Sequence, residues 1–193
     1  YGIELMDCRG PWPRRYVDGL WCIRFGSRWM QESFQRLLEQ YEFLSGQISK
    51  QTKLLRELSQ TSLYRERVEI VRSVSDIGLI VAMELLVELQ DVSRFRRAEQ
   101  LAAYVGLTPS QYSSADKVRM GRITRVGKNS LRGMLVEASW KLIIKDKTMR
   151  QRYDRIKARS GAKRAIVAIA RMLLLRLRRM LLDGRPYILE LIG

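Results

Sequence analysis

The stretch Trp29–Leu58, WMQESFQRLLEQYEFLSGQISKQTKLLREL, decides how this chain is to be read. Met30, Phe34, Leu37, Tyr41, Leu44, Ile48, Gln51, Leu55 and Leu58 recur at alternating steps of four and three residues. That is the a/d seam of a helix sustained over four heptads. A seam of this length needs a partner. It can be a coiled coil with another chain or domain, or a long helix packed within its own domain; the pattern favours the first. Gln51 is the one polar residue in the seam and can fix its register.

Upstream, Gly10-Pro11-Trp12-Pro13 cannot be helical throughout, because each proline restricts itself and the residue before it. Residues 1–28 read as an irregular linker of loop or short helices. Downstream, helices are expected over 64–73, 78–90 and 94–105, with Ser93 capping the third and Gly106 ending it. The first pair has the outline of a helix–hairpin–helix: Ile70, Val74, Ser75-Asp76-Ile77-Gly78, then Val81-Ala82. Such a hairpin offers backbone N–H groups to phosphate. Here a glycine is missing at Ser75 or Asp76, and Asp76 opposes an anion. A structural helical hairpin and a DNA-binding one both remain open.

Residues 107–128 carry Pro109, Gly121, Gly127 and several Ser and Thr, which suits an exposed basic loop or a short β-hairpin around Met120–Thr124. Helices resume over 129–146, 148–159 and 162–183, and Gly184 ends the last. That helix has an apolar stripe through Ile166, Ile169, Leu173 and Leu177. Arg164, Arg171 and Arg178 recur at seven-residue intervals on another face, a row of guanidiniums that can follow phosphates. The expected fold class is mainly all-α. A coiled-coil helix over 29–62 precedes a compact helical domain over 63–185 and a tail over 186–193.

The chain has 193 residues, 46% of them hydrophobic, which excludes a disordered polymer. The apolar runs Ile77–Leu89 and Ala165–Leu175 are broken by Glu84 and Arg171, and both are shorter than the ~18–20 uncharged residues that cross a bilayer. No membrane span is expected. The start, Tyr1-Gly2-Ile3-Glu4, is not that of a signal peptide and reads as the middle of a longer protein. There is no histidine, and only Cys8 and Cys22, so a Cys/His zinc site and a Ser-His-Asp unit are excluded. Two scattered thiols read as reduced and structural rather than as a disulfide.

The net charge is +16, and it is uneven: residues 1–110 are close to neutral at +1, whereas residues 111–193 hold 21 basic and 6 acidic residues. No acid stands between Asp116 and Glu137, while Lys117, Arg119, Arg122, Arg125, Lys128 and Arg132 follow at short intervals. A field of this kind attracts a polyanion, foremost nucleic acid. A ribosomal or nucleoid-packaging role would account for the charge equally well. A membrane surface fits less well, because the basic helices lack a Trp/Phe-rich opposite face.

The order FRRAEQLAAYVGLTPSQYSS, then KVRMGRITRVGKNSLRGMLVEASW, then YDRIKARSGAKRAIVAIARMLL resembles the C-terminal domain of the DEDD-type insertion-sequence transposases, the bridge-RNA-guided recombinases. The upstream VRSVSDIGLIVAMELLVEL and its preceding long helix fit the same pattern, so the resemblance covers about residues 30–185. It implies a nucleophilic serine in a Tyr-Ser-Ser-Gly-like segment, here Ser114, with Ser113 as second choice. Ala115 stands where the glycine is usual, and Asp116 follows.

The resemblance further implies serine attack on a DNA phosphodiester during transposition, with Lys117, Arg119 and Arg122 neutralising the phosphate. It implies Mg²⁺ held by an acidic, RuvC-like nuclease domain that this chain lacks, and no cofactor within the chain itself. The implied partners are DNA and a guide (bridge) RNA, with homo-oligomerisation through the coiled coil, in the bacterial cytoplasm at the nucleoid. The other reading is a non-catalytic basic helical module that binds nucleic acid, a degenerate transposase remnant or an architectural protein.

Overall fold

A computed structural model describes residues 12–75, 77–114, 117–123 and 129–187, the strand residues 109–114 and 117–123 by their backbone pairing. The chain divides into two compact units, Tyr1–Leu54 and Leu55–Gly193.

The first unit begins with one short helix inside the segment read as loop or short helices: α1, Arg14–Trp21. Pro13 explains its position. A proline cannot sit in a helix interior but its fixed φ suits the start, and here it is the N-cap residue in extended conformation. Val17 and Leu20, three residues apart on one face, are buried. Gln31 ties the connection to the next helix: its Oε1 accepts from the Phe25 N–H at 2.9 Å, and its Nε2 donates to the Ile23 carbonyl at 3.3 Å. The Trp12 ring centre lies 5.0 Å from that of Tyr41, and Phe25 meets Phe34 edge-on at 5.2 Å. Cys22 is a free, exposed thiol; Cys8 lies outside the described residues.

Helix α2, Arg28–Ser59, is uninterrupted over 32 residues, about 48 Å at 1.5 Å per residue. Leu38, which lies off the heptad seam, is buried. The seam itself is largely open: Leu37, Leu44 and Ile48 are each more than half exposed, and Gln51 is exposed.

The second unit holds α3 (Arg65–Arg72), α4 (Leu79–Leu89), a 3₁₀ turn (Val92–Arg94), α5 (Ala98–Val105), strands β1 (Pro109–Ser114) and β2 (Lys117–Ile123), α6 (Asn129–Lys145), α7 (Lys147–Ser160) and α8 (Ala162–Asp183). The class is mainly all-α, with one two-stranded hairpin among the described residues. Helix α8 is its axis: Ala165, Ile169, Ala170, Leu173, Leu174 and Leu177 are fully buried, and α3, α5, α6 and α7 pack on it. Each leucine so buried stabilises the fold by roughly 1.5–3 kcal/mol. No described helix is long and apolar enough to cross a membrane.

Helix ends follow local chemistry. Gly106, in the left-handed region at φ 75°, closes α5, and Gly161, at φ 81°, makes a one-residue turn between α7 and α8. The third helix starts at Ala98, not at 94 behind a Ser93 cap. The carboxylate of Asp91 accepts from the Ser93 N–H at 2.8 Å and caps a separate 3₁₀ turn instead. Phe95 then takes an extended backbone and is buried, with the Arg94 guanidinium 4.6 Å from its ring centre. The connection between α3 and α4 buries Val74 and Ile77, so this helical hairpin contributes to the core. Asp76 in that connection lies outside the described residues.

Candidate nucleic-acid interface

The candidate serines lie on β1. The hairpin is antiparallel, with Ser114 paired to Lys117, Ser113 to Val118, Tyr112 to Arg119 and Gln111 to Met120; an irregularity separates this ladder from the Pro109–Ile123 pair. The backbone therefore sets Ser114 directly opposite Lys117 at the closed end, and Arg119 two residues along the partner strand. Both stems of this segment are anchored in the core. Leu107, before β1, and Leu131, in the first turn of α6, are each only 1% exposed. At the exit, the Ser130 hydroxyl donates to the Glu84 carboxylate of α4. Arg125 and Lys128 lie outside the described residues, and Arg122 lies on β2.

The other basic residues singled out in the sequence are not equivalent. Arg132, in the first turn of α6, donates from one Nη to the Asn129 Oδ1, while its other Nη is buried with no partner among the described residues. Along α8, Arg164 is exposed and Arg171 half-buried. Arg178 is directed inward: it donates to the Phe95 carbonyl at 2.7 Å, and its Nε is buried without a partner among the described residues. The expected row of three solvent-facing guanidiniums thus ends before Arg178, which instead ties α8 to the chain before α5.

Arg176 is held as well. It donates to the Tyr187 hydroxyl at 2.6 Å and lies 3.8 Å from Asp146, which is 2% exposed. Tyr187 donates through its hydroxyl to Asp146, whose other oxygen accepts from the Met149 N–H at 2.9 Å and so caps α7. The Tyr187 N–H donates to Ser73 at 2.7 Å. Burial, and then the bond to Asp146, push the Tyr187 hydroxyl up to about 12. This network fixes α7 and Tyr187, beyond the end of α8, against the core.

Basic residues on α7 escaped the sequence reading. Arg152, Arg155 and Arg159 are exposed, and they are spaced three and four residues apart. That spacing was the available signal; it is masked in the sequence by the dense charge around it. Among the described residues no three Asp, Glu or Cys side chains cluster as a metal site would require.

Residues 68–154, from α3 through the hairpin into α7, match the Transposase IS116/IS110/IS902 family. The chain is 33% identical over 123 residues to the y4pF/y4sB protein of Sinorhizobium fredii, covering 64% of this chain and 31% of that one. It is 30% identical over 118 residues to the transposase for insertion sequence element IS1111A of Coxiella burnetii, covering 59% and 32%. It is 30% identical over 119 residues to a 43.6 kDa protein of insertion element IS110 in Streptomyces coelicolor, covering 61% and 29%. The chain spans about a third of the length of the curated relatives it matches. The helical unit and its hairpin are, in the segment 68–154, similar to the transposases of the IS116/IS110/IS902 family.

Proposed function

We propose that this chain is the DNA-binding and catalytic C-terminal part of an insertion-sequence transposase, and that Ser114 is its nucleophile. The observation that carries the reading is the family match over 68–154, which contains the whole hairpin with Ser114 paired to Lys117. The +15 charge of residues 111–193 supports a nucleic-acid partner independently.

In the step we propose, the Ser114 Oγ attacks a backbone phosphorus. The new Oγ–P bond forms as the P–O3′ bond breaks. The serine proton leaves to a base, and the departing 3′ oxygen takes one up. The phosphoserine ester keeps the bond energy, so the reverse attack by a new 3′-OH rejoins strands without an external energy source. The chain has no histidine to serve as the base. Lys117, Arg119 and Arg122 neutralise the charge that builds on the phosphate. Mg²⁺, carried by a separate acidic domain, would polarise the phosphate from outside this chain.

Target choice by a guide RNA, association through the α2 seam, and a place in the cytoplasm at the nucleoid belong to the same proposal. The test uses the longer transposase that would contain this chain, with guide RNA, Mg²⁺ and substrate DNA. Ser114→Ala should abolish strand exchange by several orders of magnitude and leave DNA affinity nearly unchanged. Ser113→Ala should be milder. Normal exchange in both single variants and in the double variant would refute serine chemistry here and leave the non-catalytic binding module.

A further inference from the structure

Helix α7 turns Met149, Tyr153 and the half-buried Ile156 toward the unit it belongs to, packing on α6 and α8. One exposed flank of it is electrostatically satisfied. Arg150 is paired with Asp154 at 3.0 Å, and the Lys157 ammonium lies 5.9 Å from the Tyr153 ring centre. The other flank is not. Arg152, Arg155 and Arg159 fall within about 60° of one another at 100° per residue and span about 10 Å of helix axis. All three are exposed, and none has a hydrogen bond, ion pair or ring contact with any described residue. Only Arg152 lies inside the segment matched to the transposase family.

Three like charges on one flank of a helix repel one another. Nothing among the described residues compensates for this. A polyanion would. Duplex DNA carries one charge per ~1.7 Å of its axis, both strands counted, so about 10 Å of it holds some six phosphate charges, of which those on the near side can meet this flank. Guanidiniums stay charged at all working pH values and bond phosphate in pairs. The helix presents its side, with its own N–H groups bonded internally, so the row would meet phosphates and not base edges. A straight row fixed on a packed helix suits the evenly charged, stiff duplex better than a flexible single strand, which would first have to be ordered.

We propose that the Arg152–Arg155–Arg159 flank of α7 is a sequence-independent contact surface for the phosphate backbone of double-stranded DNA, additional to the basic segment 117–128. The proposal rests on the nucleic-acid reading above and extends it to residues that reading did not include.

The experiment measures binding of the whole 193-residue chain to a short DNA duplex of arbitrary sequence as a function of salt. In the triple variant Arg152→Ala, Arg155→Ala, Arg159→Ala, the plot of log K against log salt should become shallower by close to 3, at about 0.9 for each phosphate no longer neutralised. The midpoint of thermal unfolding should not fall, since the three side chains bond to no described residue and their mutual repulsion is removed. The triple lysine variant should keep the wild-type slope. If the triple alanine variant lost its helical circular dichroism, the three single variants, each expected to remove about 0.9 from the slope, would decide instead. An unchanged slope in a chain that still binds DNA would overturn this proposal and spare the nucleic-acid reading. A slope change seen with an RNA duplex and not with DNA would overturn the assignment to DNA. Failure of the wild-type chain to bind either duplex at low salt would overturn both.

Discussion

Replacing Asp146 by Ala should destabilise the helical unit by about 2–4 kcal/mol. Asp146 is 2% exposed and has three partners. It caps α7 through the Met149 N–H at 2.9 Å; losing an N-cap of this kind costs about 1 kcal/mol. It accepts the Tyr187 hydroxyl, which would be left without its acceptor in a half-buried place, about 1–2 kcal/mol. It lies 3.8 Å from Arg176, itself 28% exposed, and that partial screening keeps the ion pair below about 1 kcal/mol. Asp146→Asn keeps the cap, since asparagine caps as well as aspartate. The second carboxylate oxygen then becomes an NH₂, which donates and cannot accept the Tyr187 hydroxyl, and the charge is gone, so this variant should lose about 1 kcal/mol less than Asp146→Ala, the part due to the cap. Urea unfolding followed by circular dichroism at 222 nm reads both variants. A loss below about 0.5 kcal/mol in Asp146→Ala, or equal losses in the two variants, would refute the assignment of cap and latch to this one carboxylate.

The other predictions test separate features. Leu44→Asp with Ile48→Asp should dissociate any coiled-coil assembly seen by light scattering, with little effect on the unfolding of the protomer, because the two side chains are 58% and 67% exposed there; a wild-type chain that is monomeric would refute the intermolecular seam. Arg178→Ala should cost about 1–3 kcal/mol by stranding the Phe95 carbonyl, without changing the salt dependence of DNA binding; a flatter salt dependence would place it in the footprint instead. Tyr187 ionises more readily in the unfolded chain, near 10, than in the fold, at about 12, so its contribution is complete below pH 10 and is lost as pH rises toward 12. The thermal midpoint should therefore fall over that window, and fall less in Tyr187→Phe; parallel curves would contradict the raised value.

Much of the fold was legible because short-range chemistry decides it. The apolar stripe of α8 became the axis of the unit, and Gly106 and Gly184 ended their helices in the left-handed region. The errors arose where two local solutions competed. Asp91 captured the Ser93 N–H and made a 3₁₀ turn, which moved the start of α5 to Ala98. Asp146, read as the last residue of one helix, capped the next.

The candidate site was less legible than the fold. A seven-residue repeat places Arg164, Arg171 and Arg178 on one helix face, but it does not say whether packing covers part of that face, and at Arg178 it does. The α7 arginines were hidden for the opposite reason, because Arg150 and Lys157 alternate with them in sequence and only the fold separates the two flanks. Ser114 came from resemblance rather than from periodicity. The strand register adds what resemblance did not contain, its pairing with Lys117.

The central claim is tested most directly by trapping the reaction on a DNA substrate nicked close to the exchange site, so that the product strand escapes and the protein stays attached. After digestion with nuclease and protease, mass spectrometry should find a nucleotide phosphate on the peptide that contains Ser114, and on no peptide from the Ser114→Ala protein. A nucleotide-bearing peptide from elsewhere in the chain, or strand exchange with no covalent peptide at all, would contradict the account.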